Sequence, residues 1–153
     1  MRDDQVYLQR AVQLAAHNVA AGGRPFGAVL VKDGHVIAEA ANAIHLSQDP
    51  TVHAELLAIR AASQQLGPHL AGCVVYASGQ PCPMCLSAMH LCGVSRVVYA
   101  ASNEQAQPFG LSTAGVYAQM ALPLSAQALP VEHLEQPAMI GLYRDWQARH
   151  AAG

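Results

Sequence analysis

The sequence predicts an α/β fold in which a mixed sheet carries helices on both faces. Three observations lead there. Segments of helical periodicity alternate with short β-rich runs along most of the chain. One pair of β-rich runs is joined by Asp33-Gly34, a strong short-range hairpin signal. A chain of 153 residues with 52% hydrophobic side chains is one domain long and can bury a core on both sides of a sheet. Residues 1–153 are therefore read as a single domain.

Each element has its own warrant. Over residues 5–21, Leu8, Val12, Ala15 and Val19 recur at helical spacing, and Gly22-Gly23 ends the helix. Residues 26–32 and 35–42 read as strands flanking the hairpin turn. Asp49-Pro50-Thr51 is a helix-start cluster, and the helix that follows runs to Leu66 before Gly67-Pro68. Residues 73–78 (CVVYAS) form a buried-type strand, residues 82–92 a helix closed by Gly93, and residues 96–100 (RVVYA) a fourth strand. Residues 105–131 contain no charged side chain and are broken by Pro108, Pro123 and Pro130. A short helix is expected over 114–120, a fifth strand over 131–134 and a last helix over 139–149. Tyr143 and Trp146, at helical spacing, are expected in the core.

Composition narrows the function classes. No apolar stretch approaches the 18 residues a membrane span needs, and the polar start MRDDQVYLQR has no signal-like apolar region. A cytoplasmic protein without a membrane partner is expected. Eight basic residues against ten acidic ones give a net charge of −2, and the basic residues never cluster. Polyanion binders usually show a basic stripe, because phosphate contacts supply most of their affinity, so tRNA is not expected as a partner. Cys73 and Cys92 read as small buried hydrophobes.

The chemistry lies in two short motifs, His53-Ala54-Glu55 and Pro81-Cys82-Pro83-Met84-Cys85. Each sits at a predicted helix start, and the intervening strand brings both starts to one end of the sheet, where open α/β sheets bind ligands. One imidazole and two thiols then converge. A Cys₂His set is a catalytic-zinc pattern, because it leaves the fourth position open. Glu55, two residues from His53, can reach that position without ligating the metal and serve as the proton carrier. A redox Cys-x-x-Cys would leave His53 and Glu55 idle, and a structural zinc site would need a fourth protein ligand. A zinc-stabilised binding domain without activity is the reading from another function class.

Together with PFGAVLVKDGHVIAEAAN, DPTVHAELLAIRAA and PCPMCLSAM, these motifs resemble the bacterial guanine deaminase branch of the cytidine-deaminase-like superfamily. tRNA adenosine deaminases and yeast-type cytosine deaminases are relatives. The resemblance covers roughly residues 5–105. It implies a three-layer α/β/α sandwich with a mixed five-stranded sheet, one zinc ion per chain and a homodimer. It also implies His53, Cys82 and Cys85 as zinc ligands and Glu55 as proton shuttle. Asn42, Phe26 and the Ala54 N–H would be substrate contacts, and a distal wall would include Phe109 and Tyr117. The implied activity is hydrolytic deamination of an exocyclic amino group on a free base or related amino-heterocycle, guanine first. Cytosine, isocytosine-like rings, pterins, azines and adenosine in tRNA are the alternatives. Three positions depart from the family pattern. Gln80 stands where Glu is common, Phe109 is followed by Gly-Leu-Ser-Thr without a carboxylate, and the chain ends ARHAAG without a terminal aromatic.

Overall fold

The computed structural model describes residues 2–151; the terminal Ala-Gly of ARHAAG lies outside the described residues. The chain divides into two compact units, one ending at Met120 and the other beginning at Ala121.

The first unit starts with α1 (Arg2–Ala20). This helix begins before the expected residue 5, with Asp3 and Asp4 placed in its first turn, where carboxylates favour the positive helix end. The hairpin β1 (Gly27–Lys32) and β2 (His35–Ala41) follows. Asp33 and Gly34 both take positive φ, 51° and 75°, as a turn matched to strand twist requires. After the short α2 (Ile44–Ser47) come α3 (Ala54–Leu66), β3 (Cys73–Gly79), α4 (Pro83–Cys92) and β4 (Arg96–Ala101). Two short helical pieces, α5 (Asn103–Ala106) and a 3₁₀ turn (Gln107–Phe109), precede α6 (Ala114–Met120).

The sheet has the order β2-β1-β3-β4, with β1 antiparallel to both neighbours and β3 parallel to β4. Alternation along β1 assigns the faces. Val29 and Val31 turn toward α1, packing with Ala11 and Tyr76. Ala28 and Leu30 turn toward α3 and α4, packing with Ala54, Ala58, Val75 and Met89. The layers are therefore helix, sheet and helix. Gly27 lets α1 approach β1 closely, since a Cβ there would lie 2.4 Å from the Ala11 carbonyl oxygen. Asp4 ties the start of α1 to the sheet, accepting from the Tyr76 hydroxyl at 2.6 Å and pairing with the Arg96 guanidinium.

The expected fifth strand does not form. Residues 131–134 are exposed and unpaired in any ladder among the described residues, so the sheet has four strands. A strand exists only by pairing, and this four-residue run lies between Pro130 and Pro137, which offer no N–H at its flanks.

The second unit holds a 3₁₀ turn (Leu124–Ala126) and α7 (Ala138–Ala151). Contrary to the core placement expected for them, Tyr143 and Trp146 are exposed, and Trp146 stacks on His150. Helical spacing showed that they share a face, but no second layer within this unit covers it. Among the described residues, no helix is long and apolar enough to cross a membrane.

Candidate metal centre and active-site cavity

The two motifs meet as their spacing suggests. His53 is the N-cap of α3 in an extended conformation, but its side chain makes no capping bond to the helix. The imidazole faces the sulfurs instead. Cys82 is the N-cap of α4, with Pro83 preorganising the first turn and the Cys85 N–H directed at Cys82 Sγ. His53 Nδ1 lies 3.5 Å from Cys82 Sγ and 3.6 Å from Cys85 Sγ. A tetrahedral zinc with Zn–S of about 2.3 Å and Zn–N of about 2.0–2.1 Å separates its N and S ligands by about 3.6 Å. His53, Cys82 and Cys85 are thus positioned to hold one zinc ion, and they are the cluster of this kind found among the described residues.

Electrostatics in the cluster favour a cation. Hydrogen bonding from Cys85 and His53 lowers Cys82 to about 4. The neighbouring Cys82 sulfur and burial push Cys85 upward, while the Cys82 contact raises His53. Two adjoining thiols share a proton in this way, and a divalent ion takes the place of that proton.

Glu55, on the first turn of α3, is 6% exposed. Burial raises its pKa, partly opposed by its own backbone N–H. It shares a cavity of about 160 Å³ with His53, Cys82, Asn42 and Phe26. Asn42 is 2% exposed. Its Oδ1 accepts from the Ile44 N–H at 3.0 Å, and its Nδ2 has no partner among the described residues. Ala54 is fully buried at the start of α3, beside the cluster.

Two expected wall residues lie elsewhere. Phe109 is 77% exposed and lines a neighbouring apolar groove of about 550 Å³ rather than the metal cavity. Tyr117 does not line that cavity either; its hydroxyl donates to the Pro81 carbonyl just before Cys82. Residues 110–113 complete the cavity lining. It is held by Gln80, whose Oε1 accepts from the Asn103 N–H at 2.9 Å, and by Asn103, whose Oδ1 accepts from the Thr113 N–H at 3.1 Å. Gln80, at the position that departs from the family pattern, therefore has a structural partner in the wall.

Sequence reasoning also missed Asn18. Its Nδ2 donates to the carbonyls of Arg24 and Asn42 at 2.7 and 2.9 Å, joining the end of α1 to two residues that line the cavity. The only available signal was an Asn near a helix end, which is too common to single out. Arg24, which lines the cavity mouth, was read only as one scattered charge.

Comparison with known proteins finds relatives similar to this chain over two thirds or more of its length. The chain is 39% identical to the guanine deaminase of Bacillus subtilis over 145 residues, covering 94% of this chain and 93% of that one. The X-ray structure of that guanine deaminase superposes with a TM-score of 0.88. A structure of the guanine deaminase from Nitrosomonas europaea matches at 27% identity and a TM-score of 0.66, covering 73% and 70% of the two chains. A tRNA-specific adenosine deaminase of Bacillus subtilis is 39% identical over 106 residues, 69% of this chain and 66% of that one. The family model described as the cytidine and deoxycytidylate deaminase zinc-binding region matches residues 1–101, a span that includes His53, Cys82 and Cys85, and the chain belongs to that family.

Proposed function

We propose that this protein is a zinc-dependent aminohydrolase that replaces the exocyclic amino group of a small heterocycle with oxygen, with guanine as its first substrate. The reading is carried by one observation: a buried carboxylate, Glu55, lines the same cavity as His53 and Cys82, two of the three side chains that can hold the metal, and is not itself among the three. A structural zinc site has no use for such a group. Likeness to guanine deaminase along nearly the whole chain supports the choice of base.

Zinc held by His53, Cys82 and Cys85 would supply Lewis acidity that eases the ionisation of water. Glu55 relays both protons of the water in turn: the first passes from the attacking water to the ring nitrogen, and the second from the hydroxyl newly bonded to the ring carbon to the departing amine. Water and the amino-heterocycle thus become the oxo-heterocycle and ammonia. The raised affinity of Glu55 for protons suits both halves of that exchange. Asn42 Nδ2 offers a donor to an acceptor on the ring, the Ala54 N–H adds a second donor, and Phe26 supplies a flat apolar wall.

The remaining assignments complete the proposal. Both compact units act as one catalytic protein in the cytoplasm, without a membrane partner. The exposed Ile140, Tyr143 and Trp146 of α7 favour a homodimer, since clustered exposed apolar side chains mark interaction surfaces. Adenosine in tRNA is disfavoured by the net charge of −2 and the scattered arginines. The test is an ammonia-release screen of the zinc-loaded protein across free bases, nucleosides, pterins and tRNA. Release from guanine at least equal to that from every other compound is expected. Preferred turnover of tRNA, or none on any compound, would overturn the proposal.

A further inference from the structure

Resting on that deaminase reading, we propose that Arg24 is a specificity-determining residue. It selects amino-heterocycles whose edge away from the reacting amine carries hydrogen-bond acceptors, as O6 and N7 of guanine do. The argument begins with the polarity of the cavity. Glu55 is the one carboxylate lining it among the described residues, and it belongs to the reacting end beside His53 and Cys82. Away from that end the Asn42 and Arg24 side chains bring donors that have no partner among the described residues. Asn42 Nδ2 is unpaired, whereas the Ser112 Oγ is taken by the Ala114 N–H and the Thr113 hydroxyl faces Asn103.

Arg24 adds the strongest donor. It lines the mouth of the cavity, and its guanidinium has no ion-pair or hydrogen-bond partner among the described residues. Its backbone is nevertheless fixed. Pro25 restricts Arg24 to extended conformations. The Asn18 amide that grips the Arg24 carbonyl also grips that of Asn42. Gly23 allows this packing, since a Cβ there would lie 2.5 Å from His45 Cε1 and 2.6 Å from Asn18 Nδ2. The two donors are therefore anchored to one side chain.

A guanine with its 2-amino group at Glu55 presents O6 and N7, two neighbouring acceptors, along another edge. An arginine fork matches that pair of atoms, the geometry by which arginine commonly reads guanine in nucleic acids. A ring bearing a donor or nothing at the 6-position leaves the fork unmatched. Sites built to hydrogen bond a substrate group reject analogues that lack it.

The experiment compares kcat/KM for guanine and 2-aminopurine, which shares the reacting amine but lacks the 6-oxo group, in the wild type, Arg24→Gln and Arg24→Lys. Arg24 is exposed, so these variants should fold. The guanine to 2-aminopurine ratio is expected to fall about tenfold in Arg24→Gln, the scale of one charge-assisted hydrogen bond. The change should lie mainly in KM, with a smaller fall in Arg24→Lys. An unchanged ratio would overturn the assignment. Should the wild type deaminate neither ring, the deaminase reading fails separately. Binding of the same two rings to the zinc-loaded Glu55→Gln protein, with and without Arg24→Gln, then decides the role of Arg24. Loss of guanine preference supports it, and an unaltered preference rejects it.

Discussion

Glu55 offers the sharpest perturbation of the site, because shape and proton chemistry can be separated there. Glu55→Gln keeps the volume of a side chain that is only 6% exposed, so packing around the start of α3 should survive. It also leaves untouched the three groups that can ligate the metal. What it removes is the capacity to accept and return a proton. General acid–base catalysis is worth about 10²–10⁴-fold in rate. That corresponds to about 2.7–5.4 kcal/mol of transition-state stabilisation, at about 1.36 kcal/mol per tenfold. Glu55→Asp keeps the chemistry but withdraws the carboxylate by one C–C bond, about 1.5 Å. Since a misplacement of about 1 Å can cost about 10²-fold, Asp should retain more activity than Gln but remain well below wild type. Steady-state ammonia release gives the rates, and elemental analysis the zinc content. We expect the order Glu, Asp, Gln at one zinc per chain throughout. A Glu55→Gln protein within tenfold of wild type, or one that has lost its zinc, would refute the role assigned to this carboxylate.

Three further outcomes follow from the structure. Cys82→Ala should bind zinc poorly and melt at a lower temperature, because metal binding contributes folding free energy and the N-cap acceptor of α4 is lost; metal analysis with thermal denaturation checks both effects. Gly27→Ala should destabilise the protein by about 1–3 kcal/mol in urea unfolding, since the added methyl meets the Ala11 carbonyl and the Leu14 and Ala15 atoms of α1. Asp4 is held well below the usual carboxylate range by Arg96 and Tyr76. A lowered folded pKa means that its stabilising contribution is present above the unfolded carboxylate pKa and fades as pH falls below it, so Asp4→Asn should flatten the acid limb of a stability–pH profile. An unchanged acid limb would remove Asp4 from that account.

What the sequence determined by itself is local. The hairpin at Asp33-Gly34, the helix stops at Gly22 and Gly93 and the extent of α6 are set by residues a few positions apart, through positive φ, capping and apolar spacing. The metal cluster was legible for the same reason: each half is a short motif at a helix start, and one intervening strand suffices to bring the halves together. Tertiary structure decided whatever depends on a partner remote in the chain. It placed β1 between β2 and β3, and it denied residues 131–134 a ladder. It turned Tyr117 toward the Pro81 carbonyl and Phe109 toward a neighbouring groove. It also made Asn18 a clamp on two backbone carbonyls and Arg24 a donor at the cavity mouth. None of these leaves a periodic or spacing signal. A side-chain amide or guanidinium becomes specific only through the distant groups that packing brings within hydrogen-bond reach.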